Sequence, residues 1–279
     1  MSGEVLPITG DGPWSPLRIA LYRSIWIAAL VSNVGTFMHI VAAGWAMTSL
    51  TDSPTLVGLV QTSWAVPGFV LALHAGAFAD MVDRKKLIFV TQIAALAIAV
   101  ALSVLDVTGN LGVTTLLAGT FLESVALTIA APAFMALTPQ LVGTQYLSQA
   151  FGLDSVSRNI AQSVGPALAG AIIAFTSAGA VFMLNAVSFV GILMVCRKLP
   201  TMSAQAEKMS NINRVIKDGI GHVVRTAQLR NIAVRLALVF ASTASLIAVM
   251  PIVAKESLGV SAGGFGLLSG ALGVGSVGA

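Results

Sequence analysis

Apolar positions in this chain come in long unbroken runs, and polar residues are gathered into short gaps between them. The runs cover residues 24–50, 56–79, 87–105, 111–137, 151–175 and 180–196, then 231–254, and one more opens near Phe265. The gaps carry turn chemistry: Thr51, Asp52, Ser53 and Pro54, then residues 106–110, then residues 176–179. Thr138 and Pro139 are expected to break the fourth run, with a polar link following through Gln145 and Gln149. Uniformly apolar stretches of this length predict α-helices of about 20 residues, which cross a hydrocarbon layer of roughly 30 Å. They are too long and too evenly apolar for barrel strands, and a helix satisfies its own backbone where water is absent. The expected fold class is an all-α polytopic membrane protein.

Composition strengthens that expectation. Of 279 residues, 56% are hydrophobic and 9% charged, against roughly 25% charged in a soluble domain. Mean hydropathy is +0.91. The 27 glycines suit apolar helices that pack through small side chains. One cysteine, Cys196, excludes an internal disulfide or a cysteine metal cluster, and the three histidines are too scattered to suggest a metal site. No glycine-rich phosphate loop ending in Lys and Ser/Thr is present, so no ATPase activity and no enzyme or cofactor is expected within this chain. The net charge of +4 sits between apolar runs, where topology explains it better than nucleic-acid binding.

Charge placement predicts orientation. With the N-terminus inside, every Lys and Arg except Arg158 and Lys255 falls in an inside segment, and the outside turns carry Asp52, Asp106 and Glu256. The expected organisation is a cytoplasmic tail over residues 1–17, a six-helix bundle over 18–198, a cytoplasmic linker over 199–230 and two helices of a second bundle over 231–279. Within the linker, Ile212, Val215, Ile216, Ile220, Val223 and Val224 recur at helical spacing among Arg214, Lys217 and Arg225. They predict an amphipathic helix, either on the inner membrane face or packed on the ends of the spans. The last run carries Gly266, Gly270, Gly273, Gly275 and Gly278 as a close-packing face, and the chain is expected to be truncated within it.

Three ionisable residues fall inside runs. Glu123 is near the middle of the fourth, and Asp154 and Arg158 lie four apart in the fifth, on one helix face. A charge at hydrocarbon depth costs about 2.5–3.5 kcal/mol on insertion scales and usually faces protein or an aqueous cavity. Glu123 is a candidate for proton exchange, for a fixed pair with Arg158, or for substrate contact; Asp154 and Arg158 read as a local interfacial pair, with Arg158 also a candidate for the cavity or for proton coupling. His39 follows Asn33 and Thr36 at three-residue steps, a polar stripe suited to a cavity or to hydrogen bonds inside the bundle. Pro166 removes a helical hydrogen bond, while Gly165 and Gly170 let neighbours approach. Gly76 should likewise allow a close helix approach where the second run ends.

The turn containing Gly76, Asp80, Asp83, Arg84, Lys85 and Lys86 is similar to the loop signature of the major facilitator superfamily, with Asp83 in place of the usual glycine. Gly165, Pro166 and Gly170 resemble that superfamily's antiporter motif. Asn159, Ala161, and Ala131 to Ala133 ahead of Pro139 resemble its exporter branch of enterobactin-type siderophore and drug exporters, with Gln162 where that branch is expected to carry arginine. The resemblance covers residues 18–279 and implies two six-helix halves, the last four helices being outside this chain. It implies a monomeric inner-membrane secondary transporter that exports a small molecule by alternating access, coupled to protons. Gly76, Asp80 and Arg84 would form the gating loop, and the bend at Pro166 would restrict leakage. A non-transporting protein of the same ancestry is the alternative.

Overall fold

The computed structural model describes residues 12–199 and 225–277, and every regular element among them is helical. Residues 1–11 of the expected 1–17 tail and most of the expected amphipathic linker lie outside the described residues. A short 3-10 turn, Ser15–Arg18, leads into α1 (Ala20–Leu50). It is followed by α2 (Pro54–Met81), α3 (Arg84–Val107), α4 (Val113–Val142), α5 (Leu147–Phe175) and α6 (Ala178–Lys198). Beyond residues 200–224 come α7 (Ala227–Ile252), a π-helical turn Val253–Ser257, and α8 (Ala262–Val277).

Five of these helices (α1, α3, α4, α6 and the first 19 residues of α2) are long and apolar enough to cross a membrane. The fifth run does form a continuous helix of 29 residues, but Asp154, Arg158, Asn159 and Gln162 make it more polar than the others. Its polarity is accommodated by position, because α5 is packed between α1 and α8. Around it, α1 also packs on α6, α3 joins α6 to α4, and α2 lies against α4 and α7.

Large apolar side chains are exposed on the outside of the bundle while a few polar ones are fully buried within its apolar core. His39, Thr120, Glu123 and Asn185 are 0% exposed, whereas Phe69 is 92% exposed and Val107 72%. An apolar exterior around a polar centre is stable only where the exterior meets lipid. Small residues bring the backbones together inside: Ala95 and Ala99 of α3 meet Ala126 of α4 and Ala186 of α6 around buried Phe189.

Two helix boundaries correct the sequence reading. Pro139 does not break α4, which passes through both Pro132 and Pro139 and ends at Val142. A proline removes one hydrogen bond and bends a helix without having to end it. The stop is Gly143, whose φ of +73° leaves the helical region and whose N–H donates to the Pro139 carbonyl at 3.2 Å. The polar link therefore shrinks to a 3-10 turn, Thr144–Tyr146, and Gln149 belongs to α5.

Side chains tie elements together at both ends of the bundle. At the cation-rich end, Lys85 Nζ donates to the carbonyls of Arg197 and Leu199, joining the start of α3 to the end of α6. At the opposite end, Asp106 Oδ2 accepts from Gly179 N–H at 2.6 Å, and Lys255 Nζ donates to the carbonyl of Thr48. The turns expected to share a membrane face thus meet at the same end.

Candidate functional site

Glu123 is built into the bundle by three helices. α4 carries the carboxyl to the interior, where Oε1 accepts a 2.7 Å hydrogen bond from Asn185 Nδ2 of α6. Glu123 Oε2 lies 3.3 Å from His39 Nδ1 of α1, a close electrostatic contact without hydrogen-bond alignment. Gly35, one turn before His39, makes room for this group: a methyl built there would stand 2.8 Å from Asn185 Oδ1 and 2.7 Å from Ser188 Oγ. The His39 ring packs 4.9 Å from Phe182 and 6.1 Å from Trp64 of α2. Ser124, beside Glu123, donates to the Trp64 carbonyl at 2.5 Å.

Arg158 takes no part in this cluster, contrary to the pairing with Glu123 that the sequence allowed. It lies with Asp154 on the wall of a separate cavity of about 280 Å³. That cavity is bounded by the first half of α1, the second half of α4 and the first half of α5, with Gln92 contributed by α3. Asp154 and Arg158 are therefore cavity-lining residues. Several other polar groups on this wall are already engaged: Tyr22 Oη donates to Ala150 O, Trp26 Nε1 to Leu153 O, and Asn33 Nδ2 to Ser157 Oγ. Gln92 is 1% exposed and its Oε1 has no hydrogen-bond partner.

The expected polar stripe on α1 is divided. Asn33 and Thr36 line the 280 Å³ cavity, whereas His39 turns into the fully buried cluster with Glu123. A second cavity of about 200 Å³, mostly apolar, lies toward the opposite end between α1, α2, α5, α7 and α8. Trp64 lines both.

The glycines of α5 have distinct partners. Gly165 faces α1, where an added methyl would stand 2.8 Å from Phe37 Cβ and 3.1 Å from the Val34 carbonyl. Gly170 faces α8, where the same addition would stand 2.6 Å from Gly266 Cα. Gly270 continues that contact past the Ser163 carbonyl, so of the expected glycine face Gly266 and Gly270 pack on α5, whereas nothing lies within 4 Å of a methyl built at Gly275. Pro166, between them, lines the apolar cavity and puts its carbonyl against Gly266.

The loop residues are less centrally placed. Asp80 lies in the last turn of α2, which runs on to Met81, and Arg84 opens α3. Asp83, the departure from glycine, is the N-cap of α3 and accepts from Lys86 N–H at 3.0 Å. Among the described residues nothing lies within 4 Å of a methyl built at Gly76, so the expected close helix approach is not made there.

Sequence reasoning found Glu123 and His39 but missed Asn185, because an asparagine in an apolar run has no local signature. The signal available was its depth, since an amide that far into a span needs a partner.

An apolar-skinned helical bundle with a buried acid has the architecture of a polytopic membrane protein. A family model described as transmembrane secretion effector, of the MFS type, matches residues 11–279, and the chain belongs to that family. It is 27% identical over 259 residues to an uncharacterized MFS-type transporter, y4rN, of Sinorhizobium fredii, covering 92% of this chain and 64% of that protein. It is 25% identical over 167 residues to a staphyloferrin A transporter of Staphylococcus aureus, covering 60% of this chain and 42% of the relative. It is 22% identical over 234 residues to macrolide efflux protein A of Streptococcus pyogenes, covering 83% and 56%. The chain thus spans about two fifths to two thirds of the length of these relatives. The family and its relatives are membrane transporters, not enzymes.

Proposed function

We propose that the protein is a secondary active transporter that exports a small, partly apolar molecule across the cell membrane by alternating access, driven by the proton gradient. The observation that carries this reading is Glu123, fully buried at the centre of the bundle and held between Asn185 and His39. A carboxyl retained at that depth is costly to insert and marks a functional position by default. The neighbouring imidazole supplies a second proton-accepting group at 3.3 Å. In this reading a proton taken up by the pair is exchanged for substrate as the two halves rock around a central site. Helices α1 to α6 form the first half, with α7 and α8 opening the second.

The chamber holding Asp154 and Arg158 also contains Trp26, Phe134 and Met135, a lining suited to an amphipathic molecule. Export is favoured because one relative is named for macrolide efflux; another is named as a staphyloferrin A transporter. The N-terminus and the cation-rich end are assigned to the cytoplasm. Gly76, Asp80 and Arg84 gate that side, and the bend at Pro166 limits leakage.

The test uses full-length protein in proteoliposomes with an imposed pH gradient, and radiolabelled macrolide and staphyloferrin A as probes. Accumulation of one of these that follows the gradient, and that loses its gradient dependence in Glu123→Gln, is expected. Accumulation that ignores the gradient and is unchanged by Glu123→Gln contradicts the proton-coupled reading.

A further inference from the structure

We infer that Trp64 is the partition between two chambers of a single passage, and that Ser124 and His39 set its position. This rests on the transporter reading above for its biological meaning, but its geometry stands separately. The 280 Å³ cavity is lined on α1 as far as Thr36, and the 200 Å³ cavity begins at Phe37. On α5 the border falls between Arg158 and Gln162, one helical turn apart. On α2 there is no such pair of neighbours, because Trp64 lines both cavities. The two volumes therefore lie end to end along α1 and α5, one toward the cation-rich end and one toward the opposite end, with Trp64 of α2 at their border.

Trp64 is contacted from the side of the buried acid at both its backbone and its ring. Ser124 Oγ donates to the Trp64 carbonyl at 2.5 Å, and the His39 ring packs 6.1 Å from the indole. Ser124 adjoins Glu123 in sequence, and His39 touches Glu123 in space. Both supports of the partition thus belong to the acid's own cluster, so a change at Glu123 has two short routes to Trp64. The chambers differ in chemistry: Asp154 and Arg158 wall one, while Ile40, Val60 and Phe265 wall the other. A molecule crossing the border leaves a charged wall for an apolar one.

Accessibility in sealed vesicles tests this without any transported substrate, so a failure of the transport reading and a failure of the partition are read separately. Full-length protein with Cys196 and any other native cysteine replaced receives one cysteine, either Asn33→Cys in the first chamber or Gln61→Cys in the second. A membrane-impermeant methanethiosulfonate is added from one side at a time. Each site is expected to react faster from its own side, by about tenfold, the equivalent of a barrier of about 1.4 kcal/mol. Trp64→Ala is expected to abolish that asymmetry, and Trp64→Phe, which keeps an aromatic body, to retain it. Ser124→Ala serves as the second variant, keeping the indole itself while removing the bond to the Trp64 carbonyl, and is expected to reduce the asymmetry. Equal labelling from both sides with Trp64 intact, or an asymmetry that survives Trp64→Ala, overturns the partition.

Discussion

Asn185 Nδ2 of α6 donates to Glu123 Oε1 of α4 at 2.7 Å, and both side chains are fully buried. This contact turns an isolated carboxyl in an apolar helix into part of a three-helix polar centre. Replacing Asn185 with leucine leaves Glu123 Oε1 without its donor, at an expected cost of about 1–3 kcal/mol. Glu123→Gln keeps a carbonyl oxygen for Asn185 and is expected to cost less. Thermal unfolding of the full-length protein in detergent should rank Asn185→Leu below Glu123→Gln; the reverse order would mean that the hydrogen bond contributes little.

The contact of α5 with α8 predicts a position-specific glycine effect. Gly170→Ala and Gly266→Ala each place a methyl 2.6 Å from opposing backbone, and should destabilise by about 1–3 kcal/mol through overpacking. Gly152 lies in α5 with nothing within 4 Å of an added methyl. Gly152→Ala should be neutral or stabilising by about 0.5–1 kcal/mol, since alanine restricts the unfolded chain and favours the helix. Equal melting behaviour for all three variants would remove the close-packing account.

Asp83 offers a test of local capping. Its carboxylate accepts the Lys86 N–H, satisfying one of the unpaired donors at the start of α3. Asp83→Ala should cost about 1 kcal/mol, whereas Asp83→Gly should cost a few tenths of a kcal/mol. The measurement is again thermal unfolding, and the two substitutions having the same cost would place the role of Asp83 elsewhere.

Lys255 links the turn after α7 to the end of α1 through the Thr48 carbonyl. Lys255→Met keeps the apolar stem and removes the donor. Faster amide hydrogen exchange is expected at residues 48–53, with the middle of α1 unchanged. Unchanged exchange at the α1–α2 turn would show that the contact does not hold that end.

Periodicity and turn chemistry made most of the helix inventory legible in advance. The cation-rich turn before α3 and the glycine face of α8 could also be read from sequence, because each depends on residues close together in the chain. The partners of Glu123 could not: Asn185 is 62 residues away, and a uniformly apolar helix gives no sign of how it is rotated. The same lack of rotational information hid the place of Arg158, which belongs to a chamber wall and not beside Glu123. Pro139 misled for a different reason. Its local preference to end a helix yields to the packing of α4 on both sides of the proline, where Leu137, Thr138 and Val142 are buried.

The account depends most on the end of the bundle carrying Arg84, Lys85 and Lys86 lying in the cytoplasm. Labelling of intact cells with a membrane-impermeant thiol reagent tests this, using single cysteines at Asp52 and Lys85 in full-length protein lacking other cysteines. The prediction is that Asp52→Cys reacts from outside and Lys85→Cys reacts only after the membrane is permeabilised. Labelling of Lys85→Cys in intact cells, with Asp52→Cys protected, would contradict it.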